Sequence, residues 1–167
     1  MAKKVLILIL TFFLAQTLNS TEIYGVPIII DGDTVHINNK KISLEGIDDP
    51  EIKQQCKKPY LKISAIIGFE FNKNYSCGVM AKKKLVDKIN NSKIKCISSS
   101  KDRYKRFLAT CFKDKINLNK WMVRNGNAVA YKRYSKDNVR DEAYAKEHKL
   151  GRWKGSFIMP EKWRKLK

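Results

Sequence analysis

The sequence is poor in the residues on which several kinds of active site depend. It has two histidines, His36 and His148, and none of its four cysteines belongs to a Cys-x-x-Cys pair. Zinc sites are built from closely spaced cysteines and histidines, so a zinc site is not expected. The sequence also lacks a serine nucleophile motif. A hydrolase built on this chain would therefore use a carboxylate as general base and a metal ion as electrophile.

Acidic residues are scarce as well. The 167 residues contain 16 Asp and Glu against 35 Lys and Arg, which gives a formal charge of +19. Seven Phe, seven Tyr and three Trp argue against a disordered basic tail, because such tails lack large apolar side chains. No repeat or Pro/Gly/Ser-rich linker divides residues 21–167, which predicts a single basic domain whose partners are polyanions.

No apolar run is long enough to cross a membrane. Lys3 and Lys4 precede an apolar stretch of 11 residues, Val5 to Ala15, and a polar exit follows to Ser20. A spanning helix needs ~20 apolar residues, whereas this pattern is typical of a secretory signal peptide. We therefore predict a signal peptide at residues 1–20, cleavage near Ser20, and export to a periplasm or the medium without stable membrane insertion. Cleavage would lower the charge to +17, because it removes two lysines and no acidic residue.

Export changes the interpretation of the four cysteines, Cys56, Cys77, Cys96 and Cys111. Disulfides are favoured over free thiols outside the cytosol, and four cysteines allow three pairings. We prefer the sequential pairing, Cys56–Cys77 and Cys96–Cys111, because the second pair lies on two runs that resemble neighbouring strands.

The order of predicted elements indicates an α+β fold. Strand-like runs occupy the first half, and residues 52–76 remain unassigned because Pro59 and Gly68 are potential breakers. Such an order suits a small, partly open Greek-key barrel with helices. The predicted helices are Gly78–Asn91, Asn117–Asn125 and about Asn138–Leu150, and the later strands are Lys93–Ser98, Phe107–Phe112 and Ala128–Tyr131.

Four acidic positions group in the first half of this basic chain: Asp31, Asp33, Asp48 and Glu51. Oxygen-rich groups of this kind bind hard cations such as calcium or magnesium. Asp-Gly-Asp and Asp-Pro are also ordinary turn formers, so spacing alone leaves both interpretations open. The basic run around Arg106 could bind phosphate through a guanidinium fork or could be a solvated turn.

Several motifs in order resemble the staphylococcal nuclease (thermonuclease) family. They are Asp31-Gly-Asp-Thr-Val35, Leu44-x-Gly-Ile-Asp-x-Pro-Glu51, Asp102-Arg-Tyr-Lys-Arg-Phe-Leu-Ala109, Leu150-Gly-Arg-Trp153 and Gly155-x-Phe-x-x-Pro-x-x-Trp-Arg164. The last is similar to a secreted bacterial branch that carries cysteines. The resemblance covers about residues 24–165, and each motif alone is weak.

The resemblance implies an OB-fold five-stranded Greek-key barrel with about three helices and a calcium-dependent phosphodiesterase, an endonuclease that cuts DNA and RNA. Asp33 and Asp48 would be side-chain ligands of one Ca²⁺, with the carbonyl oxygen of Asp49 beside them. Glu51 would be the general base. Arg106 would hold the phosphate and stabilise the transition state.

One position departs from the family pattern. Ser43 stands where the family places a second phosphate-binding arginine, and a hydroxyl cannot replace a cationic fork. Lys41 on the same strand face, or Arg103, could reach the site, but neither is an equivalent substitute. Tyr131 and Tyr134 are candidates for base stacking, or alternatively are packing aromatics.

Three functions compete at this stage. Asp33, Asp48, Glu51 and Arg106 favour an exported metal-dependent nuclease. Ser43 favours a non-catalytic nucleic-acid-binding OB-fold protein. A cationic membrane-active protein has less support, because strands and cysteines describe a compact domain. Nothing in the sequence demands an oligomer, so we expect a monomer.

Overall fold

The computed structural model describes residues 20–63 and 69–166. Its strands are β1 (Thr21–Gly25), β2 (Ile28–Ile29), β3 (Thr34–Ile37), β4 (Lys40–Leu44), β5 (Ile47–Asp48), β6 (Gln55–Ile63), β7 (Phe69–Ser76), β8 (Ile94–Lys101), β9 (Phe107–Lys113), β10 (Ile116–Asn117) and β11 (Val129–Ala130). Its helices are α1 (Cys77–Ile89), α2 (Leu118–Arg124), α3 (Val139–Glu147), a 3-10 helix (Gly151–Lys154) and α4 (Pro160–Arg164).

Seven strands form one curled sheet in the order β1-β8-β9-β4-β3-β2, with β10 paired to β9. Strands β4 and β9 are parallel, and the other neighbours are antiparallel. Five strands of the sheet have four or more residues, whereas β2 and β10 have two each. The structure therefore confirms the predicted α+β OB-fold, with two short strands added to the five expected.

The hydrophobic core joins this sheet to α1 and α2. Ile42 and Leu44 of β4 pack in one cluster with Leu85 of α1 and Met122 of α2, and each is at most 1% exposed. Successive side chains of a strand point to opposite faces. Ser43, between Ile42 and Leu44, therefore faces away from this core, and this opposite face carries the candidate site.

The predicted helices are present with small shifts of their ends. Helix α1 ends where Asn90 adopts a left-handed backbone with φ 48°. Asn117 caps α2 by accepting a hydrogen bond from the Lys120 amide at 3.0 Å. Gly126 follows with φ +68°, so close to the Leu150 carbonyl that a Cβ would not fit. The sequence analysis did not predict α4 or the 3-10 helix, because each is a single short turn with little periodicity.

Within residues 52–76, left unassigned by the sequence analysis, the described strands β6 and β7 pair in an antiparallel ladder, which we call the β6–β7 hairpin. Pro59 does not break β6, because a two-stranded ladder leaves one edge of each strand unpaired and so tolerates a missing N–H. It stands where the register of the ladder shifts, between Pro59 and Leu61. Gly68 lies outside the described residues.

The cysteines form the sequential pairing that the sequence analysis preferred. Cys56 is bonded to Cys77 at the base of the hairpin, and Cys96 is bonded to Cys111. Cys96 and Cys111 stand opposite each other in the β8–β9 ladder. One bond therefore closes the inserted hairpin, and the other links two central strands.

The predicted signal peptide at residues 1–20 lies outside the described residues except for Ser20. Across residues 20–63 and 69–166, no helix has the length and hydropathy required to span a bilayer.

Candidate active site

Two loops bring three aspartates together on the face of the sheet that points away from the core. Asp31 and Asp33 lie in the bend between β2 and β3, and Asp49 follows β5. Asp49 Oδ2 accepts a hydrogen bond from the Gly32 amide at 2.8 Å, and Asp33 Oδ2 accepts one from the Asp49 amide at 3.3 Å. Ligand oxygens of the three carboxylates all lie within 4.8 Å of one another. We call Asp31, Asp33 and Asp49 the open acid group.

The electrostatics of the open acid group are unfavourable in the protein alone. Burial raises the pKa of Asp33 to about 7, and the Asp31 charge adds to this shift. Burial also raises the pKa of Asp49 well above its ordinary value, with further contributions from Asp33 and Asp31. In the described part of the chain, no Lys or Arg forms an ion pair with these carboxylates. Such a set of hard oxygen ligands fits a divalent cation.

A second pair of carboxylates, Asp48 and Glu51, has a cationic partner. Arg164 of α4 contacts Asp48 Oδ1 through Nη1 at 2.9 Å and Asp48 Oδ2 through Nη2 at 3.1 Å. Its Nη1 also contacts Glu51 Oε1 at 3.1 Å. We call Asp48 and Glu51 the paired acid group.

The paired acid group differs in its titration as well. Burial raises the pKa of Asp48, although hydrogen bonds from Arg164 oppose the shift. Burial by itself would lower the pKa of Arg164, but its bonds to Asp48 and Glu51 raise it above the ordinary value. The guanidinium therefore stays charged and neutralises this side of the site.

The backbone around Glu51 packs against the start of α1, close to the Cys56–Cys77 disulfide. The Cys77 amide donates to the Gln54 carbonyl at 3.1 Å, so the chain after Glu51 meets the start of α1. Gly78 packs directly against the Glu51 carbonyl, where any Cβ would overlap it. The side chain of Glu51 remains 42% exposed, so water and a ligand can reach it.

Arg106 lies at the other end of the acidic residues, in the turn before β9. Its Nε donates to Asp102 Oδ2 at 2.7 Å, and its Nη1 donates to Thr34 Oγ1 at 3.4 Å. Thr34 Oγ1 in turn donates to Asp33 Oδ1 at 2.9 Å. A continuous series of contacts therefore runs from Arg106 to the open acid group.

Ser43 lies beside this series. Its backbone is paired with Thr34 on one side and Leu108 on the other, and the residue is 8% exposed. Lys41 lies two residues earlier on the same strand face, opposite His36, and is exposed. The departure from the family pattern thus falls inside the site.

The remaining candidates for substrate binding are Tyr131, Tyr134 and Arg103. The rings of Tyr131 and Tyr134 meet edge to face at 4.7 Å. Burial and the nearby Asp48 charge raise the pKa of Tyr131, which places it beside the paired acid group. Tyr134 is 69% exposed. Arg103 lies over the Tyr104 ring, 4.8 Å from its centroid.

The sequence analysis did not predict one contact of the site or the position of one further carboxylate. It named Arg164 as part of a closing motif but gave it no role, since no local pattern links it to Asp48, 116 positions earlier. It grouped Asp31 with the other acids but did not name it among the metal ligands. The structure brings Asp31 to Asp33 and Asp49, whereas the Asp48 carboxylate faces Arg164.

The fold and the site define a class: an OB-fold domain whose site combines clustered carboxylates with arginines. A family model described as "Staphylococcal nuclease homologue" matches residues 41–155. That range contains Asp48, Glu51 and Arg106, but neither the Asp31–Asp33 bend nor Arg164. The chain therefore belongs to the staphylococcal nuclease family.

Two curated proteins are similar to this chain. An "Uncharacterized endonuclease" of Haemophilus influenzae (strain ATCC 51907 / DSM 11121 / KW20 / Rd) is 32% identical over 145 residues, 82% of this chain and 70% of that protein. "Succinoglycan biosynthesis protein ExoI" of Rhizobium meliloti (strain 1021) is 33% identical over 109 residues, 64% of this chain. The match spans about half of the Rhizobium protein, 51% of its length.

Proposed function

We propose that this protein is an exported, calcium-dependent endonuclease that hydrolyses phosphodiester bonds of DNA and RNA with little sequence preference. One observation carries the proposal: two arginines contact a site with five carboxylates, Arg106 through Thr34 at Asp33 and Arg164 directly at Asp48 and Glu51, in a chain of formal charge +19. A pure binding protein has no need of carboxylates where phosphate must approach. A nuclease requires them as metal ligands and general base.

One Ca²⁺ would be held by the carboxylates of Asp33 and Asp48 and the carbonyl oxygen of Asp49. The raised pKa values of the Asp33 and Asp48 side chains support this assignment, because a bound cation would remove the cost of their ionised forms. When bound, the ion would supply positive charge against a phosphate oxygen.

Glu51 is the proposed general base. It would take a proton from the water whose oxygen attacks phosphorus, while the bond from phosphorus to the leaving oxygen breaks and that oxygen gains a proton. Arg106 would bind the phosphate. Two of its five N–H donors are used by Asp102 and Thr34, and three remain for phosphate oxygens. Tyr131 and Tyr134 would stack bases, and Lys41 and Arg103 would attract the backbone.

Export is part of the proposal. The two disulfides are typical of proteins that fold in an oxidising compartment. The predicted signal peptide agrees with such a location, either a periplasm or the medium. We further propose that the protein acts as a monomer.

The test uses oxidised protein without residues 1–20, incubated with single-stranded DNA and RNA in calcium or in chelator. We expect calcium-dependent cleavage that falls by about 10³-fold in Glu51→Gln, within the range of general-base contributions. Glu22→Gln is the matched control, since Glu22 pairs with Lys95 on the exposed surface. Cleavage that survives in chelator, or in Glu51→Gln, would contradict the proposal.

Ser43 favours a second candidate, a non-catalytic nucleic-acid-binding OB-fold protein. Loss of one preorganised cation costs about 10²–10³-fold in rate, enough to leave binding without useful catalysis. This candidate predicts salt-sensitive binding without cleavage in the parent protein, and activity gained in Ser43→Arg.

A further inference from the structure

Arg164 brings a cation from the end of the chain to the paired acid group. Its guanidinium contacts both oxygens of Asp48 and one oxygen of Glu51, at 2.9 to 3.1 Å. Asp48 is a proposed metal ligand and Glu51 the proposed general base. The guanidinium therefore lies within one contact of the groups that would act on the substrate.

The backbone that carries Arg164 is fastened to the rest of the protein. Gln54 Nε2 donates to the Ile158 carbonyl at 2.6 Å, and Ser156 forms a β-bridge with Lys57. Pro160, at the start of α4, is buried. The Arg164 side chain itself is 37% exposed. The backbone at Arg164 is thus fixed, while its guanidinium group is accessible to a ligand from solvent.

Neither Arg152 nor Arg106 offers a cation that could bind a phosphate at the paired acid group. Arg152 also acts electrostatically on Asp48, but it is 3% exposed and donates to the carbonyls of Gly126 and Asn127. Arg106 is held by Asp102 and Thr34 at the opposite end. Ser43 offers only a hydroxyl. Without Arg164, a phosphate approaching Asp48 and Glu51 would meet two carboxylates there.

The donors of Arg164 also suit a phosphate. Three of its five N–H groups take part in the contacts with Asp48 and Glu51, which leaves Nε and one Nη2 hydrogen. A guanidinium fork matches phosphate oxygens as well as it matches carboxylate oxygens. A bound backbone phosphate can therefore use the free donors and compete for the others.

We infer that Arg164 is a second phosphate-binding residue of this site, supplied by α4 in a chain that lacks the arginine that the family resemblance puts at position 43. It contacts the carboxylates when nucleic acid is absent and a backbone phosphate when nucleic acid is bound. This inference rests on the proposed function and adds a catalytic residue to it.

Activity is the first readout. Arg164→Ala should lower kcat/KM on single-stranded DNA by about 10²-fold or more, the usual effect of losing a preorganised transition-state contact. Arg164→Lys should fall between the parent and Arg164→Ala, because an ammonium keeps the charge but not the fork. Adding Ser43→Arg to Arg164→Ala should restore at least tenfold. Thermal unfolding of each variant checks that it is folded.

The matched control is Lys165→Ala. Lys165 is the next residue along the chain, carries the same charge and pairs with Glu161 away from the paired acid group. We expect kcat/KM within about twofold of the parent, since no acidic residue of the site is in contact with it.

Binding is the second readout and needs no turnover. In a Glu51→Gln background, affinity for a fluorescent single-stranded oligonucleotide is measured across a salt series. Adding Arg164→Ala should weaken binding and reduce the slope of log K against log salt by about 0.7, the value for one phosphate contact on a single strand. Adding Lys165→Ala to Glu51→Gln should change the slope less than adding Arg164→Ala does.

The two readouts separate the failure of this inference from the failure of the proposed function. A parent protein without cleavage would contradict the nuclease proposal, while the salt slope would still decide whether Arg164 binds phosphate. An Arg164→Ala variant with unchanged slope, or with activity equal to or above the parent, would overturn the inference. Arg164 would then be a counter-ion that neutralises the carboxylates or restrains the site.

Discussion

The two acid groups of the site lie side by side but are treated differently by the fold. In the open acid group, Asp31, Asp33 and Asp49, the pKa values of Asp33 and Asp49 are raised, and no ion pair joins the group to a described Lys or Arg. The paired acid group, Asp48 and Glu51, has Arg164 across it. The comparison teaches that neighbouring carboxylates can differ in how they are compensated: one group has no ion pair within the described chain, whereas the other is paired with the chain's own arginine.

The largest effect should come from the proposed Ca²⁺, which would bind Asp33 of the open acid group and Asp48 of the paired acid group. Calcium should raise the free energy of unfolding by about 2.7 kcal/mol when present at 100 times its dissociation constant. Asp33→Asn should abolish most of this gain, because it removes a charged ligand. Calorimetry with calcium or chelator measures the difference, with Glu22→Gln as the control. Equal calcium stabilisation of Asp33→Asn and parent would show that the ion binds elsewhere.

Asp48→Asn tests the paired acid group. In chelator we expect a loss of about 1–2 kcal/mol of unfolding free energy, because Arg164 loses a bidentate charged partner and its head is partly exposed. Urea unfolding at pH 7 measures the change. A more stable Asp48→Asn variant would contradict this expectation and show that the burial of the carboxylate outweighs its contacts with Arg164.

Asp49→Asn should have the opposite sign, although it changes the adjacent residue in the same way. The amide oxygen of Asn can still accept the hydrogen bond from Gly32, while the repulsion from Asp33 and Asp31 disappears. We expect a gain of about 1 kcal/mol in chelator, the scale of one pKa unit. The same urea experiment compares Asp49→Asn with Asp48→Asn. If both variants changed the unfolding free energy in the same direction, the proposed difference between the two acid groups would be wrong.

The last comparison is a pH dependence of the open acid group in chelator. Because the folded-state pKa of Asp33 is raised from 3.8 to about 7, its contribution is fully present below pH 3.8 and is lost as the pH rises through about 7. Between these two pH values the slope approaches the limit of about 1.4 kcal/mol per pH unit for one proton. Unfolding free energies at pH 5 to 8 should therefore fall more steeply in the parent than in Asp33→Asn. Parallel curves would remove Asp33 as the cause.

The sequence predicted the parts of the fold that local patterns determine. Spacing of apolar residues located α1, and Asn117 marked the start of α2. It could not assign the β6–β7 hairpin, because Pro59 normally argues against a strand and only pairing along one edge permits it. The hairpin therefore depends on the pairing of its two strands and forms against the local propensity of Pro59.

The candidate site shows the same division. The Asp-Gly-Asp bend is a local motif. Its hydrogen bond to Asp49, from the Gly32 amide, joins two short motifs that lie close together in the sequence. The Arg164 contact joins residues 113 and 116 positions apart and depends on where the last turn of the chain lies. No periodicity or spacing encodes such a contact, since it arises from the packing of the C-terminal segment.

The joint between Gln54 and Cys77 has a consequence for engineering. The Cys77 amide bonds to the Gln54 carbonyl, and the Cys56–Cys77 disulfide closes the same point, so residues 55–76 leave and return at one place. Closure entropy changes slowly with loop length. The part of the hairpin beyond Lys57, which pairs with Ser156, can therefore be shortened, exchanged or replaced by a grafted recognition element while Glu51, on the other side of the joint, keeps its position.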